Sequence, residues 1–418
     1  MAFTSTEAAA ILKEHYPFTK VAEAGYLQNK FLALVPKVLV AGGDQEKIPI
    51  DVSPNQARSA TFGTAQTLAA SLSSVKRAFE LTTVSNYAIA RVSGKVIRQT
   101  KQDAHAFVRA VDSEIKSAFK SISRDIERDL FRAGDGAIGS YLSNSTVTLT
   151  LGNATQAHCF EYGMELVSAA NNTSALNNSG GANGVTSVNR AGGTLVSDVD
   201  WSTPWSGVSS GHLIFCQGDY VSSSDRLKIS GLEAWCPATA PGGGDSFFGV
   251  NRSIDVERLA GTRYDGSALT IEEALINGQS EGAANGAAPD TCFMAPYNVR
   301  RLINALGSKK SYEVTRETMN AQGFNGPIGS IGFQVLVIDG DEGPIRIVSD
   351  PLVPYDVAWM VKLSALTLFS MGDFPGVLDE DGQSMLRVSN DDSYEIRVGY
   401  YAQLGSQEPG CIVRVKLA

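Results

Sequence analysis

Residues 103–136, DAHAFVRAVDSEIKSAFKSISRDIERDLFRAGDG, form the longest helical pattern in the chain and hold no proline, and no glycine before Gly134. Phe107, Val111, Ile115, Phe119, Ile122, Ile126 and Leu130 recur every three or four residues, which puts them on one stripe of a helix. Asp103 is suited to cap the start and Gly134 to end it. Pairs such as Asp112–Lys116 and Asp125–Arg128 support the polar faces. About 31 residues at 1.5 Å each span roughly 46 Å, longer than a small domain is wide. Packing on its own core explains the stripe but not the length.

Before this helix, residues 5–35 read as two short helices broken at Pro17, the second (VAEAGYLQNKFLALV) stopping before Pro36. KIPIDVS and AFELTTVSNYAIARVSGKVI then alternate apolar and polar residues, the period of half-exposed strands. The small, polar stretch PNQARSATFGTAQTLAASLSSV joins them, so the two strands make an extended hairpin. A lone two-stranded ribbon is marginal in water and needs another surface.

After the helix, residues 140–217 read as a small all-β insert. TVTLTL, GMELVSA, GVTSVNRAGGTLVSD and GHLIFCQG are strands parted by Asn/Gly/Ser turns, with NRAGG a hairpin turn. From 218 the helices TIEEALING and PYNVRRLINAL alternate with the strands FQVLVID, IRIVSD, ALTLFSM, YEIRVGYYAQL and CIVRVKLA. No self-similarity of 20–50 residues marks a repeat protein.

Composition narrows the function. The 418 residues are 43% hydrophobic and 19% charged, with a formal net charge of −9. That balance disfavours a protein whose main task is gripping phosphates, which needs clustered Lys and Arg. It suits many copies held soluble together. The five cysteines (Cys159, Cys216, Cys236, Cys292, Cys411) form no CxxC pair, so they read as reduced, buried thiols rather than a disulfide or zinc framework. The start MAFTSTEAAAILKEHYP does not read as a secretion signal, and no apolar run is long enough to span a membrane.

Motifs that promise chemistry have plainer readings. GVSSG (207–211) fits GxSxG with His212 beside it, but a nucleophile elbow needs a strand before the serine and a helix after it. Here a Trp/Ser/Pro loop precedes Ser209 and the strand HLIFC follows. The four histidines (His15, His105, His158, His212) form no HExxH. DGDEG (339–343) and LDEDGQ (378–383) sit between strands and read as turns rather than calcium loops. PGGGD (241–245) has no Lys-Ser/Thr after it, so it is no phosphate loop. No catalytic, cofactor or metal residue is assigned, and no enzyme activity is expected.

The serial order then carries most weight: helical arm, projecting hairpin, long helix, glycine-rich globular part, a return through DPLVPYDVAWMVKLSALTLF, and the final strands DSYEIRVGYYAQLGSQEPGCIVRVKL. This order resembles the major capsid proteins of tailed bacteriophages with the Hong Kong 97-type fold, which encapsulins share. CFMAPYNVRRLINAL (292–306), the GFQVLVID…DPLVP return (332–354) and the C-terminal run with Tyr401, Leu404 and Pro409 carry the likeness locally.

The resemblance implies an α+β chain. It would comprise an N-terminal arm (1–47), an extended loop hairpin with peripheral-domain strands (48–98), a spine helix (99–139), a β-rich insertion domain (140–217), an axial domain (218–348), a peripheral return (349–395) and C-terminal strands (396–418). Within these, the loop proper would run from Asp51 to Val84 and the spine from Asp103 to Ala133. Contacts with neighbouring subunits are expected from Phe62, Leu68 and Lys76 on the loop. Asp373, Phe374, Asp379 and Asp381, in GDFPGVLDEDGQ, are expected near threefold axes. Lys76 lies near the second strand rather than the tip, which argues against the Lys–Asn crosslink that some relatives form.

The implied function is self-assembly, through hexamers and pentamers, into the icosahedral shell around a double-stranded DNA genome. Expected partners are a scaffolding protein, a portal and decoration proteins, with only weak nonspecific contact to DNA. Assembly would take place in the host cytoplasm and the product would be the virion. No long helical prodomain precedes the arm, so scaffolding would come from a separate protein or be unnecessary. The rival readings are an encapsulin-like cargo shell, a tail-tube protein and a serine hydrolase using Ser209.

Overall fold

The computed structural model describes residues 29–40, 45–95, 104–177, 181–222, 226–307, 336–379 and 382–418, and for 104–113 the backbone only. The helices expected within 5–28, the Asp103 cap, the side chains of Phe107, Val111 and Asp112, and Asp381 lie outside the described residues.

In chain order the described elements begin with α1 (Lys30–Leu34), β1 (Lys37–Leu39), β2 (Gln45–Ser53), α2 (Phe62–Ala69), β3 (Val75–Thr82), β4 (Val84–Ser93) and α3 (Ala104–Phe131). Helix α3 is the spine. Its 28 residues correspond to about 42 Å. Ile115, Phe119, Ile122, Ile126 and Leu130 are all buried, as the stripe requires. Gly134 follows the helix with φ +81°, a left-handed conformation that favours glycine.

The spine lies on a peripheral sheet built around β20 (Ser393–Ser406), with β4 along one edge and β17 (Leu366–Ser370), β18 (Gly376–Val377) and β19 (Leu386–Arg387) along the other. Strand β1 adds to β17 in parallel. On β4, Asn86, Ala88, Ala90 and Val92 turn inward while Ser85, Tyr87, Ile89, Arg91 and Ser93 stay exposed. This is the period-2 pattern of a sheet covered on one face. The stretch read as one long strand is therefore two, split at Thr83: β3 pairs with β2, and β4 with β20.

Residues 137–216 form a seven-stranded sheet. Its strands are β5 (Ala137–Ser145), β6 (Thr148–Leu151), β7 (Glu165–Ala169), β8 (Asn183–Gly184), β9 (Ser187–Asn189), β10 (Thr194–Val196) and β11 (Leu213–Cys216), in the order β8-β7-β11-β5-β6-β10-β9. The NRAGG turn joins β9 to β10. Trp201 and Trp205, 4.7 Å apart, are buried within this part of the chain.

A third sheet runs β12-β21-β16-β13-β15-β14. It comprises β12 (Thr262–Asp265), β13 (Thr291–Met294), β14 (Leu336–Gly340), β15 (Gly343–Ser349), β16 (Val357–Val361) and β21 (Val413–Lys416). DGDEG is the tight turn between β14 and β15. Helix α6 (Ile271–Ala284), opened by a Thr270–Glu273 capping box, packs on this sheet. A Cβ on Gly278 or Gly282 would come within 2.6 or 2.7 Å of Val415 or Val413, so the two glycines permit the close approach. Helix α7 (Pro296–Gly307) follows β13, as CFMAPYNVRRLINAL suggested. Two short helices, α4 (Leu232–Trp235) and α5 (Val256–Ala260), precede β12.

Val357–Val361, inside the span expected as the peripheral return (349–395), pairs within this third, axial-type sheet. The C-terminal strands divide, β20 running through the peripheral sheet and β21 through the axial-type one. Trp359 and Met360 face neighbours on both edges of β16, pairing with β13 and β21, which explains an apolar run without alternation.

Candidate assembly surfaces

The hairpin is anchored at one end and bare at the other. At its base Ile48, Phe79 and Leu81 are buried. Phe79 meets the Trp235 ring edge-on at 5.1 Å, and Trp235 meets Phe247 at 5.0 Å. The Arg252 guanidinium lies 4.1 Å over Phe247 and is held by Asp245 at 2.9 Å. Gln403 accepts from Ser230 N–H at 2.8 Å and donates to the Thr82 carbonyl at 3.3 Å, tying the hairpin to β20.

From residue 54 to 77 nothing is buried. The tip carries α2, which has no buried residue and shows Phe62 85% exposed, with Leu68 partly covered. The sequence reading treated this tip as irregular. Its helix signal was the run of good helix formers Ala65, Gln66, Leu68 and Ala69. Lys76 is exposed on β3 with its amine 3.7 Å from Asp51, a pairing worth little in water.

The other candidate contact segment divides. Asp373 and Asp379 are exposed. Phe374 is not available as a contact: it is 7% exposed and its ring stands edge-on to Tyr400 at 4.9 Å, inside its own subunit. An aromatic with a core aromatic in reach gains more by burial than by waiting at a surface.

Behind these surfaces the end of the spine is packed with charge. Ser123, Glu127, Arg128 and Asp129, off the apolar stripe, are nevertheless buried. Arg128 pairs with Asp125 and lies 3.6 Å from Asp129. Lys228 reaches Asp125 at 2.9 Å and Asp219 at 3.0 Å, and Asn86 donates to Asp125 at 2.7 Å. Burial alone would raise the Asp125 carboxyl, but Arg128 and Lys228 hold it at about 2. Asp129, with burial and Asp125 both acting on it, is pushed up to about 7. The periodicity was legible, but a charged residue placed off the stripe gives no sign that a partner 100 residues away will bury it.

The same helix clamps the root of the arm. Glu127, 1% exposed, accepts from the N–H groups of Phe31 and Leu32, both at 2.8 Å. Asn29 donates to the Ser123 carbonyl at 2.8 Å and Lys30 to the Ser349 carbonyl at 2.5 Å. Burial and the adjoining Asp350 carboxyl push Glu127 well above the carboxylate range. Lys37, next to Glu127, is lowered to about 8 by burial.

The chemical motifs keep their plain readings. Ser209 is exposed in a turn, and His212 Nδ1 lies 3.2 Å from the Asn177 amide. Among the described residues, no group of three or more His, Cys, Asp or Glu could hold a metal, and no helix is long and apolar enough to cross a membrane.

Residues 212–383 match the family described as SU10 major capsid protein. The capsid asymmetric unit of cyanophage A-1(L) aligns over 99% of this chain and 98% of that chain, with a TM-score of 0.51 and 13% identity. The holo-SrpI encapsulin of Synechococcus elongatus PCC 7942 aligns over 100% and 96%, with a TM-score of 0.44 and 8% identity. A chain of Mycobacterium phage Bobi aligns over 100% and 99%, with a TM-score of 0.38 and 11% identity. No curated protein sequence matches. The fold is the Hong Kong 97 type, and residues 212–383 carry the likeness to a major capsid protein family.

Proposed function

We propose that this protein, arranged as hexamers and pentamers, builds the icosahedral head of a tailed bacteriophage around its double-stranded DNA. The observation that carries the reading is the hairpin: a buried aromatic base holds out a 24-residue segment, 54–77, with nothing of its own subunit to cover it. In a closed shell each subunit's tip, with Phe62 and Leu68, lies on a neighbour, and symmetry multiplies that modest contact over many copies. Asp373 and Asp379 add a second contact near threefold axes, and Lys76 serves in strand pairing rather than crosslinking.

In this reading residues 48–98 form the extended loop and peripheral strands, the 137–216 sheet decorates the exterior, and the sheet around β13 and β16 faces the centre of each capsomer. Assembly takes place in the host cytoplasm with a separate scaffolding protein, and the finished head takes a portal and decoration proteins. Contact with DNA is weak, in keeping with the net charge of −9. The phage-capsid match over residues 212–383 favours a genome shell over a cargo shell. Electron microscopy of the expressed protein, alone and with its scaffold, tests the proposal. Closed shells are expected, and a small discrete oligomer under every condition would overturn it.

A further inference from the structure

Three donors without acceptors converge on one cavity. It measures about 200 Å³ and lies under the turn Pro351–Asp356, where the end of the spine helix, the 137–216 part and the axial-type sheet meet. Trp359 lines it and is 1% exposed, yet its indole Nε1 has no hydrogen-bond partner. Arg132, one residue past the spine helix, and Arg414, directly across from Trp359 on β21, line it too, and the buried Nε of each is likewise unpartnered. Arg132 gives another N–H only to the Cys159 sulfur at 3.6 Å, a poor acceptor for a guanidinium. Arg414 lies 5.8 Å over the Trp359 ring.

Buried donors are seldom left unpaired, and a group of them around one void points to a missing acceptor. Neither arginine lies within salt-bridge distance of a carboxylate among the described residues. The guanidinium fork suits the paired oxygens of a carboxylate or phosphate. Two acids also line the cavity: Asp356 is exposed, and Glu233 stands between the charges. Burial raises the Glu233 carboxyl, and Arg132 and Arg414 oppose the shift.

We propose that this cavity binds a small oxyanion, held by Arg132, Arg414 and the Trp359 indole N–H, and that the bound anion joins the spine, the 137–216 part and the axial-type sheet. The ligand class is a free phosphate or carboxylate, whose paired oxygens match the two guanidinium forks.

The test is a titration of the full-length protein, as unassembled subunits and as shells, with inorganic phosphate and separately with acetate, read by Trp fluorescence and calorimetry. Saturable binding at one site per chain is expected. The phosphate and acetate arms tell which oxyanion the site takes, and failure of both in both forms of the protein overturns the proposal. Trp359→Phe keeps an aromatic ring and deletes the N–H. It should weaken binding about tenfold, read against the unliganded variant's own Tm because the smaller ring also leaves a void. Arg414→Met should abolish binding, and Glu233→Gln should tighten it by removing the opposing charge. If the wild type binds but Trp359→Phe, Arg414→Met and Glu233→Gln all bind alike, the site is elsewhere and the proposal fails. Shell formation is scored separately, so the capsid reading stands or falls independently.

Discussion

The hairpin tip and the end of the spine helix treat polarity in opposite ways. From 54 to 77 the chain leaves Phe62, Leu68 and Leu72 without a covering core. At the end of the spine it buries Glu127, Arg128 and Asp129. Apolar groups in water and charges out of it are both unfavourable for a lone subunit. The compensation lies in different places. The spine's charges find Lys228, Asn86 and the arm's N–H groups inside the same chain, whereas the tip finds no cover there and, in the proposed shell, would take it from another copy. Folding and assembly should therefore be separable by mutation.

The largest effect should come from the tip. Ser53 and Val75 are paired across the ribbon, so replacing residues 54–74 by Asn-Gly closes it with a two-residue turn. Shells should then be absent by electron microscopy, while the Tm of the subunit moves by less than about 4 °C. Shells of normal size from this variant would show that the tip is dispensable and would break the comparison at its first term.

On the spine side, Lys228→Met should leave assembly-competent surfaces intact but cost about 3–5 kcal/mol of folding free energy in urea at pH 7, because buried carboxylates lose their cation. The pH dependence gives a second check. Asp125 is held at about 2, below its unfolded value. In the wild type that contribution is present above about pH 4 and lost as pH falls toward 2. Without Lys228 the loss over this window should shrink.

Asp350→Asn probes the arm clamp, with a smaller effect of opposite sign. Glu127 is raised well above the usual range, so the stability linked to its protonation is complete below about pH 4 and fades as pH rises through the raised value. An amide at 350 can donate to Glu127 and still accept from Leu352 N–H, now 2.8 Å from Asp350. The variant should match the wild type in mild acid and exceed it by roughly 1–3 kcal/mol at alkaline pH. Identical curves would mean that the Asp350 carboxyl is not what raises Glu127. Asp129, pushed up to about 7, adds a slope of the same sign that this variant keeps.

What could be read in advance followed from local pattern. The stripe Ile115–Leu130, the alternation of β4 and the turns NRAGG and DGDEG each declare themselves within a few residues. The partners across the fold did not. Phe374 sits in a polar, turn-rich segment, and nothing nearby in sequence announces Tyr400 as its cover. Glu127 and Asp350 are 223 positions apart, and their contact follows from how the spine meets the turn after β15. The helix at the tip was missed because its formers are small residues with no apolar stripe. Which sheet Val357–Val361 joins was not legible, because a run buried on both faces does not reveal its neighbours.

The smallest effect sharpens the comparison most. Phe62 is 85% exposed, so Phe62→Ala removes almost no burial from the free subunit. Its unfolding free energy should stay within about 0.5 kcal/mol of wild type. In a shell the same ring is covered by a neighbour, and losing part of that burial should weaken each contact by about 1–1.5 kcal/mol. The threshold concentration for assembly should then rise about tenfold, as read by light scattering over a dilution series. A change in subunit stability would place the ring on its own chain. An unchanged threshold would leave Leu68 and the ribbon backbone as the contact, with Phe62 at its solvent edge.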